Sequence, residues 1–254
     1  MTGKLTVVGL GPGSPLQLTP EADAVVRNAD DLFGYGPYLD RVPERAAQRR
    51  HLSDNRQEMQ RAEEALKSAA AGNCVAVVSG GDPGVFGMAA AVCEALEQGP
   101  ADWRHIEIAI IPGVSAMLAV AARVGAPLGH DFCALSLSDN LKPWETVERR
   151  LELAATAGFV IALYNPISRA RPWQLDRAFE KLRAVLPATT VVVFGRAAGR
   201  SDERIAITQL AQAHGSNADM ATCIIVGSAE TRLVERPGTD PLVYTPRGTS
   251  RPAA

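Results

Sequence analysis

The 254-residue sequence is poor in cysteine, with Cys74, Cys93, Cys133 and Cys223 its only four, and none of their spacings gives a CxxC pair or a tight zinc site. No metal is therefore expected. Cys74, Cys133 and Cys223 lie inside apolar, strand-like runs, where a free thiol is expected to pack as a small buried hydrophobe. No stretch of about 18 apolar residues runs free of Gly, Pro or charge, which excludes a helical bilayer span. The opening MTGKLTVVGLGPG lacks the long apolar region and cleavage site of a secretory signal, so a cytoplasmic protein is expected. Charge of either sign is not in excess: 26 Lys and Arg against 28 Asp and Glu leave a net charge of -2, which argues against a nucleic-acid-binding polycation. With 46% hydrophobic residues, the chain is not expected to be disordered. Internal repeats and low-complexity segments are absent as well.

What is present is alternation. The runs LTVVGL, CVAVVS and HIEIAII interleave with helical patterns at Pro20 to Asn28, Gly87 to Glu97 and Ser115 to Val124, the mark of βαβ units on a mostly parallel sheet. CVAVVS and IEIAII are nearly all apolar and are expected to be covered on both faces. Thr19-Pro20 is a helix start, and Gly72-Asn73 stops a helix running from Arg56 to Ala71. After a break at Gly125-Ala126-Pro127 a second series follows: FCALSLS, a helix from Trp144 to Thr156, FVIALY, a helix from Trp173 to Leu186, then TVVVFG, RIAIT, TCIIVG and LVERPG. Four strands with one short helical insert between them predict a mixed sheet. The expected architecture is two α/β domains, 1–126 and 127–254, followed by a poorly ordered tail TPRGTSRPAA.

Three loops at strand ends carry the chemistry. Gly9-Leu10-Gly11-Pro12-Gly13-Ser14 lacks the spacing of a dinucleotide fingerprint, because Pro12 stiffens the turn and six residues, 13–18, intervene before the Thr19 helix start. Ser79-Gly80-Gly81-Asp82-Pro83-Gly84-Val85-Phe86-Gly87 leaves its backbone bare for a small ligand, with Asp82 either an acceptor for that ligand or a simple cap. Ile111-Pro112-Gly113-Val114-Ser115-Ala116 repeats the pattern. None of the three contains Lys or Arg, so the edge suits a neutral or zwitterionic adenosine-like ligand better than a polyphosphate.

Together GLGPGSPLQLT, SGGDPGVFG and PGVSA resemble the three N-terminal motifs of the tetrapyrrole methylase superfamily. Leu163-Tyr164-Asn165-Pro166, Phe194-Gly195-Arg196 and Met220-Ala221-Thr222 look like its C-domain segments. The resemblance implies a two-domain tetrapyrrole methylase-like fold, usually a homodimer, with S-adenosyl-L-methionine held in a cleft between the domains and S-adenosyl-L-homocysteine left as product. Carried over residue by residue, the implied cofactor contacts are Pro12, Gly80, Gly81, Asp82, Val85, Phe86, Ser115, Ala116, Tyr164, Asn165, Gly195, Arg196, Ala221 and Thr222.

Within the superfamily, Gly34-Tyr35-Gly36-Pro37-Tyr38-Leu39 and the run from Gly129 to Trp144 resemble the branch that methylates C17 of precorrin-3B with ring contraction. That likeness implies a small-molecule tetrapyrrole partner, with Tyr35, Tyr38, Ser138 and Lys142 as substrate contacts and His130 and Asp139 as candidate acid and base. Arg41, Arg169 and Arg171 are further candidates for the substrate carboxylates, although most cations of the chain are expected simply to be solvated. Three rivals remain open at this point: a nicotinamide enzyme using Asp30 or Asp31, a non-catalytic tetrapyrrole carrier, and a sister methylase acting on another precorrin, a protein or RNA.

Overall fold

The computed structural model describes residues 3–168 and 170–248. Arg169 and the last six residues of the tail lie outside them. Among the described residues no helix is long and apolar enough to cross a membrane. The chain divides into two compact units, residues 1–116 and 117–254.

The first unit is built on five strands, β1 (Lys4–Gly9), β2 (Asp31–Tyr35), β3 (Arg49–Ser53), β4 (Cys74–Ser79) and β5 (Glu107–Ile111), in the order β3-β2-β4-β1-β5. Every pairing is parallel. Side chains alternate along the central strands. Leu5, Val7, Val75 and Val77 enter one cluster with α3 (Glu58–Ala70) and α4 (Met88–Gln98), while Val8, Ala76 and Val78 enter another with α1 (Pro20–Asn28) and the short α2 (Gly36–Leu39). Burial on both faces is why β1 and β4 read as nearly continuous apolar runs, β1 interrupted after its first residue only by the buried Thr6. Thr19 caps α1 by accepting from the Ala22 amide at 3.1 Å, and Gly72, at φ +97°, ends the turn after α3.

Two strands of this sheet are silent in the sequence. β2 reads DLFGY, with a carboxylate at its start and Gly34 inside it, because a Cβ at Gly34 would lie 2.5 Å from Val78 Cγ2. β3 reads RRHLS and is a half-exposed edge strand. β5 also departs from expectation: it is the other edge, and Ile110 is 49% exposed rather than covered.

The second unit opens with α5 (Ala116–Val124) and β6 (Gly125–Ala126), so the division falls ten residues before the expected 126/127 boundary. The reason is packing. Gly195 leaves room for Val120 of α5, whose Cγ2 would sit 2.2 Å from a Cβ there, and β6 pairs with β13 (Leu242–Tyr244). The main sheet of β7 (Phe132–Ser136), β8 (Val160–Tyr164), β9 (Val191–Arg196), β10 (Arg204–Gln209) and β11 (Thr222–Val226) has the order β10-β9-β11-β8-β7. Only β7 and β8 pair in parallel, so the sheet is mixed as its sequence predicts. Helices α6 (Trp144–Thr156) and α7 (Gln174–Arg183) bury Leu151, Phe179 and Leu182 against Leu163, Phe194 and Ile224. Each fully buried leucine stabilises by about 2 kcal/mol. A second sheet joins β6, β13 and β12 (Arg232–Val234). The start of the expected loose tail is fixed by it: Thr245 is buried and its hydroxyl donates to the Pro127 carbonyl at 2.6 Å.

The cysteines divide by position. Cys223 is buried, and desolvation pushes its thiol up to about 12. Cys133 is half-buried, whereas Cys74 stands exposed at the first position of β4, contrary to the core role expected for it.

Asp31, 1% exposed, anchors the β2 edge of the first unit. Its carboxylate accepts from Arg49 Nε at 2.7 Å and Nη2 at 2.6 Å and from Ser68 Oγ at 2.6 Å, and it bonds His51 Nε2 at 2.7 Å. The Arg49 hydrogen bond, aided by Ser68 and His51, holds the carboxyl below its ordinary range despite burial. Asp31→Asn is expected to cost about 1–3 kcal/mol at neutral pH. Because the native carboxyl titrates below the unfolded one, this contribution is complete above the unfolded value of about 3.9 and is lost as pH falls below it. Denaturation of wild type and variant at pH 7 and pH 3 should show the gap narrowing in acid.

Candidate functional site

The three glycine loops of the first unit meet at the C-terminal ends of β1, β4 and β5. A Cβ at Gly9 would lie 2.6 Å from the Gly113 nitrogen, and one at Gly113 would lie 2.3 Å from the Gly81 oxygen. The backbones therefore touch where any side chain would intrude. Gly11 and Gly81 exchange two hydrogen bonds, 3.1 and 2.9 Å, and Gly81 sits at φ +68°, where glycine carries no steric cost. Leu10 adds a bond to the Ser79 carbonyl at 2.9 Å.

Charged side chains serve these loops as struts. Asp82 Oδ1 accepts from the Gly84 amide at 2.8 Å and Oδ2 from the Gly113 amide at 3.0 Å, so it ties the second loop to the third. Arg41 Nη2 donates to the carbonyls of Leu10 and Gly11, both at 2.9 Å, which makes it a brace of the first loop. Pro12 and Ser115 are buried, Val85 is half-buried and Phe86 is 50% exposed, with φ +53°. A bulky residue in the left-handed region is uncommon and marks a loop whose shape is imposed by its surroundings. Tyr38 covers Gly80 so closely that a Cβ there would be 2.6 Å from Tyr38 Cζ, and Tyr35 meets Tyr38 edge-on at 5.4 Å.

In the second unit the expected residues stand at the C-terminal ends of β8 and β9 and at the start of β11. Tyr164 Oη accepts from the Met117 amide at 3.0 Å, and Asn165, at φ +52°, donates to Ser136 Oγ at 2.9 Å. Arg196 Nε donates to Asp219 at 2.7 Å and Nη1 to Asp202 at 2.6 Å, so its guanidinium is engaged by two carboxylates. Asp219 also accepts from the Ala221 amide and the Thr222 hydroxyl, both at 2.9 Å. Asp202 and Asp219 carry no sequence motif and are visible only once the strands are placed.

The candidate acid and base stand in different surroundings. His130 Nδ1 lies 3.8 Å from Asp131 Oδ2. Asp139 Oδ1 accepts from Arg171 Nη1 at 2.5 Å and from Gln174 Nε2 at 2.9 Å. Lys142 turns back to donate to the Ser138 carbonyl at 3.0 Å, and burial, with the nearby Arg150 charge, lowers its pKa.

Chemically, the first unit offers a backbone-lined, charge-balanced edge. Asp82, the one carboxylate of the three loops, and Arg41 are both bonded to loop backbone, and the loops hold no Lys or Arg, which fits a neutral or zwitterionic adenosyl amino acid better than a polyphosphate. Of the two acidic residues a nicotinamide enzyme could use, Asp31 is sealed by Arg49, Ser68 and His51, and Asp30 Oδ2 accepts from the Cys74 amide at 2.8 Å.

Residues 4–214 match the family model of the tetrapyrrole (corrin/porphyrin) methylases. The chain is 67% identical over 247 residues to a Sinorhizobium protein named precorrin-3B C(17)-methyltransferase, covering 97% of both. It is 45% identical to the cobalamin biosynthesis protein CobIJ of Mycobacterium tuberculosis over 97% of this chain but only 48% of that relative. Among solved structures, that of the methyltransferase CobJ superposes with a TM-score of 0.91 at 49% identity, covering 96% of this chain and 100% of the other.

The glycine contact makes a stability prediction. Gly113→Ala, which must move the Gly81 backbone, is expected to cost about 2–3 kcal/mol. Gly158→Ala, with nothing within 4 Å of its Cβ but φ +80°, should cost about 1 kcal/mol. Urea denaturation of the two variants tests the order.

Proposed function

The chain belongs to the tetrapyrrole (corrin/porphyrin) methylase family, and from that membership we propose that it is the methyltransferase of cobalamin biosynthesis that methylates C17 of precorrin-3B with ring contraction, giving precorrin-4. The observation that carries this reading is the 67% identity, extending over 97% of both chains, to the Sinorhizobium enzyme of that name. The cofactor proposed is S-adenosyl-L-methionine, which when bound supplies a methyl group already activated on a sulfonium. The partner is a small-molecule tetrapyrrole, and a cytoplasmic homodimer belongs to the same proposal.

The chain's task is then chiefly one of placement. The bare backbone of Gly80 and Gly81, with Pro12, Asp82, Val85, Phe86, Ser115 and Ala116 around it, is proposed to hold the cofactor. Tyr164, Asn165, Gly195, Arg196, Ala221 and Thr222 are the further cofactor contacts proposed. Arg196 would act through its backbone, since its guanidinium is engaged. Holding the macrocycle carbon in line with the methyl at about 3 Å removes several kcal/mol of barrier without acid or base. Tyr35, Tyr38, Ser138 and Lys142 are the proposed macrocycle contacts. Ring contraction additionally requires a proton to move, and His130 is the residue proposed for it.

Incubation of the purified protein with methyl-labelled S-adenosylmethionine and precorrin-3B tests the reading. Expected is a labelled, ring-contracted product by mass and absorption spectrum. Label on a different precorrin alone would replace the substrate, and failure to bind the methyl donor would remove the function. His130→Gln is expected to lower kcat by about 10²-fold or more, with loss of one limb of the pH–rate profile.

A further inference from the structure

We infer that Asp139 is a positioning residue and takes no part in proton transfer: through Arg171 and Gln174 it holds the Ser138–Lys142 loop in one shape, presenting Leu141 as an apolar contact for the tetrapyrrole. The inference rests on the function proposed above. Its ground is the way five residues are restrained between two fixed points. Leu137, fully buried, bonds its amide to the Tyr164 carbonyl at 2.9 Å on one side, and Trp144 packs against the same core on the other.

Between them a single nitrogen of Arg171 is shared by three consecutive side chains: Asp139 Oδ1 at 2.5 Å, Asn140 Oδ1 at 2.7 Å and Ser138 Oγ at 3.4 Å. Arg171 is itself fixed, since its amide and carbonyl exchange hydrogen bonds with Ser168 at 3.0 and 3.2 Å. Gln174, 1% exposed in the first turn of α7, grips Asp139 from below. Lys142 closes the loop onto the Ser138 carbonyl, and Ser136 Oγ takes the Ser138 amide at 3.2 Å.

Held this way by two donors on Oδ1, the carboxylate is fixed as a support of the loop rather than left free to reach a reacting atom. The same restraint keeps Leu141 93% exposed, although the large apolar residues on either side of the loop are packed inward. A rigid loop loses little conformational entropy when a ligand covers its tip, so the desolvation of Leu141 goes largely into affinity.

Steady-state kinetics of Asp139→Asn, Asp139→Ala, Arg171→Met and Leu141→Ala test this, with cofactor affinity measured separately by calorimetry. Losing only ground-state placement raises KM at constant kcat. Asp139→Ala, Arg171→Met and Leu141→Ala are therefore expected to raise the tetrapyrrole KM about tenfold, with cofactor affinity held. The Asp139→Ala/Arg171→Met double variant should be no worse than either single one. Asp139→Asn, which keeps an acceptor for Arg171, should recover most of the KM with both limbs of the pH–rate profile in place. A fall in kcat of about 10²-fold or more in Asp139→Asn, or an unmoved KM in Leu141→Ala, overturns the inference. Amide hydrogen exchange over residues 138–142 reads the clamp without substrate. Faster exchange in Asp139→Ala and Arg171→Met supports it and unchanged exchange overturns it, even if the wild-type protein proves to methylate something else.

Discussion

Backbone contact among Gly9, Gly81 and Gly113 is the constraint on which the first unit depends. Parallel strands lie about 4.8 Å apart, and the chain leaving β1 must pass between the loops that leave β4 and β5. Gly9 and Gly113 allow this because they carry no Cβ, and Gly81 because it takes φ +68°. The cost is the conformational freedom glycine loses on folding, and it is offset by the Gly11–Gly81 hydrogen-bond pair and by the Asp82 and Arg41 struts. What remains along the three loops is mostly backbone, with Asp82 bonded to loop amides and Arg41 to loop carbonyls.

The second unit reaches a comparable order by other means. The segments at its strand ends are tied by ions: Arg196 between Asp202 and Asp219, and Arg171 across Asp139 and Asn140. Non-glycine residues take left-handed backbone there, Asn165 after β8 and Ala197 after β9. Asparagine tolerates that region well; alanine does not, and Ala197 is kept in it by its amide bond to the Ala221 carbonyl at 2.9 Å and by burial. The geometry of the segment before β11 and that of the segment after β9 are thus set together.

Strands buried on both faces and helices with clear ends were legible in the sequence. CVAVVS is β4 residue for residue, and the Thr19–Pro20 start and the Trp144–Thr156 helix lie where their signals put them. β2 and β3 were not legible, since their stabilising feature is a buried ionic cluster around Asp31, and a carboxylate, a glycine and two arginines disguise the period of a strand. Cys74 misled because its neighbours are apolar while it occupies the strand's first position. At the site, the glycine loops were readable from composition and order. The partners of Asp139, Arg196 and Asp82 were not, because hydrogen bonds between residues 23 to 35 positions apart leave no local trace.

The Trp144–Trp173 pair has an optical consequence. The two rings meet edge-on at 4.9 Å, Trp144 opening α6 and Trp173 just before α7, directly after Lys142-Pro143 and Arg171-Pro172. The remaining tryptophan, Trp103, is buried in the first unit. Two of the three indoles of the chain therefore stand at the feet of the clamped loop, and Trp173 is open to solvent. The intrinsic ultraviolet emission of the protein is accordingly weighted toward this corner, where an absorbing macrocycle would quench it by energy transfer.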